Sequence, residues 1–209
     1  MRPAGGWEGR ALMITVVFAV AACGADSPSL STADPLHDLI TIDQLVAPGF
    51  TVTTPPGHID ATALGTAAGD ASIASALRGD GLQSAASVEY QRAVDFGTSN
   101  GPIDIVATVA RFAAGNGASS AYSATIGRID AIQGAVQTST GPLGDQAHSI
   151  SVVRAAPDGL QAVEITVVWR VSNLVNIIVA RGRYGGTRLE DALVLAGLQT
   201  QNEWVSASD

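Results

Sequence analysis

Lysine is missing from the chain altogether, and cysteine occurs once, at Cys23. Without lysine there is no side-chain amine for Schiff-base or other lysine-dependent covalent chemistry, and no P-loop can form. Without a second cysteine there is no internal disulfide, so an exported domain must be held by its core alone. Positive charge is also scarce. Eleven Arg face 19 acids, a net charge of −8. Phosphate recognition needs clustered cations, so nucleic acid is excluded as a partner, and so is a polybasic membrane-surface patch. The sequence carries no G-x-S-x-G elbow and no G-x-G-x-x-G turn.

What is present begins at the N-terminus. MRPAGGWEGR supplies Arg2 and Arg10, and ALMITVVFAVAA follows over residues 11–22, with Thr15 as its one polar member. A basic head, a short apolar run and small residues at its end describe a secretory signal. Twelve residues fall short of the roughly 20 that a spanning helix needs. Val20-Ala21-Ala22-Cys23 resembles the bacterial lipobox. That resemblance implies diacylglyceryl transfer to Cys23 and cleavage before it, which anchors the protein to the membrane at its extracytoplasmic face and takes the thiol out of catalysis. The mature chain would have 187 residues, nine Arg and 18 acids, a charge of −9. All-Arg usage with abundant Ala and Gly points to a high-GC genome such as an actinobacterium's.

Residues 24–35, GADSPSLSTADP, are small and polar and read as a tether. The organisation is therefore a signal over 1–22, a lipidated Cys23 with its tether over 23–35, and one domain over 36–205. Asp34-Pro35 reads as a helix start, and Thr41 with Gln44 has capping-box spacing. TVTTPPG is extended and then broken by its prolines. Residues 61–78 are Ala-rich and read as a weak helix pair, restarted by the cap Asp70.

From Ser84 the period becomes two. SVEYQRAVDF and IDIVATVARF form a predicted hairpin, with Phe96 against Ile103, Val94 against Ile105, Arg92 against Ala107 and Tyr90 against Val109. That register sets Asp95 against Asp104, so either it slips near the turn or both carboxylates are solvated. Ala118, Tyr122, Ile126 and Ile129 mark a helix over 118–133. AVQTST is an edge-like strand. ISVVR, LQAVEITVVWRV and LVNIIVARGR form a meander through the turns Asp158-Gly159 and Ser172-Asn173. Ile150 then opposes Val167, Val152 opposes Ile165 and Glu164 opposes Arg181. Thr187 caps a last helix with Leu189, Leu193 and Ala196 inward, and Gln199 to Trp204 fraying beyond. The fold class is α+β, with a mostly antiparallel sheet of about six strands and helices packed on it.

The segments VATVARFAAGNGASSAYSATI, GPLGDQAHS and VVWRVSNLVNIIVARG, with LEDALVLAGLQ after them, resemble actinobacterial lipoproteins and the extracellular sensor modules of the mycobacterial PknH-type kinases. The likeness covers roughly residues 84–200 and implies a ligand-binding or sensing role outside the membrane. The two disulfides of the kinase module have no counterpart here, and the chain has no kinase domain.

Candidate chemistry is sparse. His37, His58 and His148 each have an acid nearby in sequence but no ligand spacing, and Asp145 with His148 could serve a triad only if the fold supplied a serine. Arg92 stands on the same strand face as Tyr90 and Val94. An arginine there wants a carboxylate, a route to solvent, or a pocket that receives an anion. Trp169, with Asn176 opposite, belongs either to the core or to a pocket floor. The reading is a non-catalytic, lipid-anchored envelope protein that binds or senses a lipid or cell-wall fragment, with Arg92, Trp169 and Asn176 as candidate ligand residues. No metal or cofactor is implied. The alternative is a structural lipoprotein that docks an envelope protein and takes no small ligand.

Overall fold

A computed structural model describes residues 30–45, 47–67, 71–156 and 159–206. The predicted signal, Cys23, the cap Asp70 and the turn residue Asp158 lie outside the described residues. No helix among those described is long and apolar enough to cross a membrane.

Seven strands make one antiparallel sheet: β1 (Phe50–Ile59), β2 (Leu82–Arg92), β3 (Asp104–Phe112), β4 (Ala135–Thr138), β5 (Gln146–Ala155), β6 (Gln161–Val171) and β7 (Leu174–Arg183). Their order across the sheet is β1-β2-β3-β7-β6-β5-β4. The α+β expectation holds, with one strand more than the sequence suggested. That strand is β1, which runs through Pro55-Pro56 instead of stopping there. Proline has no N–H to give to a ladder, and β1 is an edge strand, so its outer side needs none. The pairing with β2 shifts between Val52 and Thr54 and between Thr54 and Gly57, on the approach to and across the two prolines.

Helices cover both faces. On one lie α1 (Pro35–Asp38) and α5 (Leu189–Ser206). There Leu39, Ile40, Leu195 and Ala196 pack on Val88, Tyr90, Ile105, Val109, Val167 and Ile178. On the other lie α2 (Ala61–Ala67), α3 (Ala74–Gly79) and α4 (Gly115–Ile129), packed through Leu64, Leu77, Ala121 and Tyr122 onto Phe112, Ile150, Val168 and Val175. The central strands β3, β7 and β6 are thus buried on both sides and carry near-continuous Val and Ile.

Two predicted registers move. In the β2–β3 pair Tyr90 faces Ile105 and Val88 faces Ala107. The expected pairing is displaced by four residues, because β2 ends at Arg92 and residues 96–98 curl into a 3-10 turn. The shift is even, so every side chain keeps its face, and Asp104 meets Gln91 in place of Asp95. In the β5–β6 pair Ile150 faces Thr166. Five residues connect these strands, closed by Ala156 N–H donating to the Leu160 carbonyl at 2.9 Å, where the sequence suggested a two-residue turn. The β6–β7 pairing is as expected, with Glu164 opposite Arg181 and Trp169 opposite Asn176.

The helix starts divide similarly. Asp34 caps α1, accepting from Leu36 N–H at 3.0 Å, and Gln44 Oε1 accepts from Thr41 N–H at 2.8 Å around a 3-10 turn over Ile42–Gln44. Thr187 does not cap α5. Its hydroxyl donates to the Gly101 carbonyl at 3.0 Å, and Asp191 takes the Arg188 N–H at 2.8 Å. Nor does α5 fray at Gln199: Gln199, Thr200 and Glu203 are buried, and the helix runs to Ser206.

Candidate functional site

The start of α5 shapes an apolar cavity. Asp191, Val194 and Leu195 follow one another at helical spacing and face one end of the sheet. Phe50 opens β1 there, Ile105 lies one residue into β3, and Leu45, Ala47, Gly101 and Pro102 close the sides. Gly101 is held to the helix entrance by its N–H to the Gly186 carbonyl at 2.8 Å and by the Thr187 hydroxyl. The space, partly open to solvent, is about 170 Å³ and mostly apolar. A cavity of roughly 150 Å³ lined by aliphatic and aromatic side chains accepts a benzene-sized group. Polar character enters at Asp191 and at the backbone around Gly101.

Arg92 sits beside this cavity. Its guanidinium stacks over the Phe50 ring at 5.4 Å from the centroid, and Nη2 donates to the Asn100 carbonyl at 2.7 Å and the Gly101 carbonyl at 3.5 Å. Nε is buried and has no partner. No carboxylate among the described residues pairs with it. Arg92 pairs in the ladder with Phe50, and Ala107 is opposite Val88.

Trp169 and Asn176 lie elsewhere, fully buried under the second half of α5. Trp169 Nε1 donates to Thr200 Oγ1 at 3.0 Å. Asn176 Oδ1 accepts from Gln199 Nε2 at 3.2 Å, which also donates to the Thr108 carbonyl at 3.2 Å. Neither residue lines the cavity. Trp169 Nε1 and Asn176 Oδ1 are held inward by partners on α5, so both residues stay in the core. Arg92 does not line the cavity either, but it borders it through its contacts with Phe50 and Gly101.

The histidines do not form a cluster. His148 contacts Asp130 at 2.7 Å, and His58 lies 3.4 Å from Asp34 at the surface. Their strands are five spacings apart in the sheet, roughly 24 Å. His37 is exposed on α1. Asp145 is occupied as well, accepting from Ser172 N–H at 2.8 Å and pairing with Arg170 at 3.1 Å. It thereby fastens the β6–β7 turn, where Ser172 has a φ of 54°. No group of three or more His, Cys, Asp or Glu among the described residues could hold a metal.

Sequence reasoning missed two acids. Asp38 and Glu203 are buried where α1 meets α5. Burial lifts both carboxyls above their ordinary range, and Glu203, also facing the Asp38 charge, is pushed up to about 8 despite the Asn176 amide beside it. The available signal was the helical period: Ala192, Ala196, Gln199 and Glu203 continue one stripe, but its last two members are polar. A third acid, Asp104, is raised by burial although Arg181 bonds it at 2.7 Å. Arg181 also bonds Glu164 at 2.7 Å, making a bridge across β3, β7 and β6.

No family model and no curated protein matches the chain. Among solved structures it is similar to the extracellular domain of PknH from Mycobacterium tuberculosis. That likeness has a TM-score of 0.51 at 10% identity and covers 80% of this chain and 93% of that one. At such identity it is a likeness of fold: the two domains share an architecture.

Proposed function

We propose that the protein is a lipid-anchored module of the cell envelope that binds a small amphiphile in the cavity under α5. The observation that carries this reading is the apolar cavity flanked by an arginine that no acid among the described residues neutralises. An apolar group fills the space between Phe50, Ile105 and Leu195. The polar head of the ligand lies at the rim, with Arg92 on one side and Asp191 on the other. Trp169 and Asn176 support the wall from behind by fixing α5. The binding role is non-catalytic, because the histidines stand apart and the acids near them serve structure.

The anchor gives the module an orientation. Asn173 accepts from Ser31 N–H at 2.7 Å and donates to the Ser31 carbonyl at 3.0 Å, and Arg111 donates to the Thr32 carbonyl at 2.5 Å. Ser31 follows Cys23 by eight residues, a reach of at most about 28 Å. A lipid on Cys23 would therefore tether the domain through the Phe112 end of β3. The cavity lies at the Asp104 end, roughly 27 Å farther along the strand. This favours a cell-wall fragment or a shed lipid over a lipid still seated in the bilayer.

Exposed Trp204 and Val205 on the last turn of α5, at 67% and 65% accessibility, favour a second reading in which an envelope protein docks there.

Intact-mass and extracted-ligand mass spectrometry on protein from a native-like host tests both parts. Wild type is expected to carry a diacylglyceryl mass that Cys23→Ala lacks, and both forms are expected to release the same small amphiphile. A free Cys23 thiol in the wild type overturns the anchor. An anchored protein from which nothing is released overturns the ligand role.

A further inference from the structure

The carboxylates of Asp38 and Glu203 have no place in the cavity. Asp38 is fully buried and Glu203 is 3% exposed. None of their four oxygens has a hydrogen-bond partner among the described residues. Two polar neighbours stand close. Ser206 Oγ already donates to the Asn202 carbonyl at 3.0 Å, and Asn176 Nδ2 is itself unpartnered. Around the acids the packing is tight and well bonded. Tyr90 donates its hydroxyl to the Ile40 carbonyl at 2.8 Å. Asn202 Nδ2 donates to the Leu39 carbonyl at 2.9 Å, and Gln44 Nε2 donates to Asn202 Oδ1 at 2.9 Å. The segment after α1 is therefore stitched to α5 and to β2, with the two acids enclosed at the seam.

Two carboxylates facing each other away from water cannot both ionise without a cation between them. The charged neighbours do not provide one. Arg111 on β3 and His37 on α1 both favour the ionised form of Asp38, but burial outweighs them and Asp34 adds negative charge. Arg111 bonds the Thr32 carbonyl and Ser84 Oγ at 3.3 Å, not the pair. The groups facing the pair from β2 and β7 are the neutral Tyr90 and Asn176. A bound proton is what remains to balance the site.

We propose that Asp38 and Glu203 form a buried proton-binding site that clamps the N-terminal segment, residues 35–45, onto α5 and loosens it when the pair ionises. This makes the segment next to the anchor responsive to the pH outside the cell, independently of the cavity. The sign follows from linkage. Glu203 holds its proton to about pH 8 when folded and to its ordinary 4.5 when unfolded. The stability it contributes is complete below about 4.5 and falls as pH rises toward 8. One such group lowers the folding equilibrium by up to about tenfold per pH unit in that window. Asp38, raised by burial, acts in the same direction, and so does Asp104 at the far end of β3, which the comparison with Glu203→Gln removes.

The test uses the full-length chain in detergent. Thermal melts between pH 5 and 9 are expected to show the wild-type Tm falling with pH, with a shallower fall in Glu203→Gln. Amides of residues 39–45 are expected to lose at least tenfold of their exchange protection above pH 8 in the wild type. Carboxyl-carbon NMR titration of wild-type Glu203 decides the matter if the variant does not fold. A midpoint near the ordinary 4.5, or an equal pH slope in both proteins, overturns the proposal. A Tm raised by millimolar Ca²⁺ in the wild type but not in Glu203→Gln also overturns it, by giving the oxygens to a cation.

Discussion

Gly117 lies in the first turn of α4, where the helix presses on the end of α3. A Cβ built there would overlap the Asp80 carbonyl oxygen, and both partners are backbone, so neither yields cheaply. Gly117→Ala is expected to destabilise the fold by about 1–3 kcal/mol, the range for overpacking a tight contact, as read by urea denaturation. Unchanged stability would mean that the α3–α4 approach is looser than described. At this scale the sequence was informative about Arg92 and silent about Glu203. An arginine on an apolar strand face is conspicuous, since its cost must be met somewhere. A glutamate among Gln199, Thr200 and Asn202 looks like a solvated helix end. Polar residues that turn inward to bond each other leave no mark in a hydrophobic pattern, and the predicted fraying of α5 came from that blindness.

Among the elements, strands were easier to find than their pairings. Alternation in SVEYQR and the turn Ser172-Asn173 placed β2, β6 and β7, and the opposed charges of Glu164 and Arg181 confirmed one register. At residues 96–98 an unforeseen turn moved the register by four and the faces stayed, whereas the longer β5–β6 connection moved it by one, so Ile150 and Val167 lie on opposite faces. β1 was read as extended but cut short, because its prolines look like a break when the strand's position at the edge is unknown. The docked end of the tether was equally illegible, since Ser31 and Asn173 are 142 residues apart. Asn173→Ala removes three hydrogen bonds and leaves the Phe112 carbonyl short of a donor. It is expected to cost about 1–3 kcal/mol and to speed proteolysis in front of α1. Limited digestion followed by mass spectrometry would show this, and an unaltered cleavage rate would contradict it.

For the whole molecule, the sheet's two covered faces divide the work. The α2–α4 face is a closed core. The α1–α5 face holds the cavity at one end and the buried acids toward the other, joined by a single helix. The cavity had no sequence signature beyond its neighbour Arg92, because it is assembled from three distant stretches of chain, 45–50, 101–105 and 191–195, whose meeting depends on register and loop geometry. The most direct test of the ligand reading fills that space from its rim. Val194 lines the cavity and is 49% exposed, so Val194→Trp blocks the mouth without enlarging the core. The amount of small amphiphile released from each purified protein should be compared at equal Cys23 lipidation. Wild type is expected to release it and Val194→Trp to release at least tenfold less. Equal release from both would contradict the account.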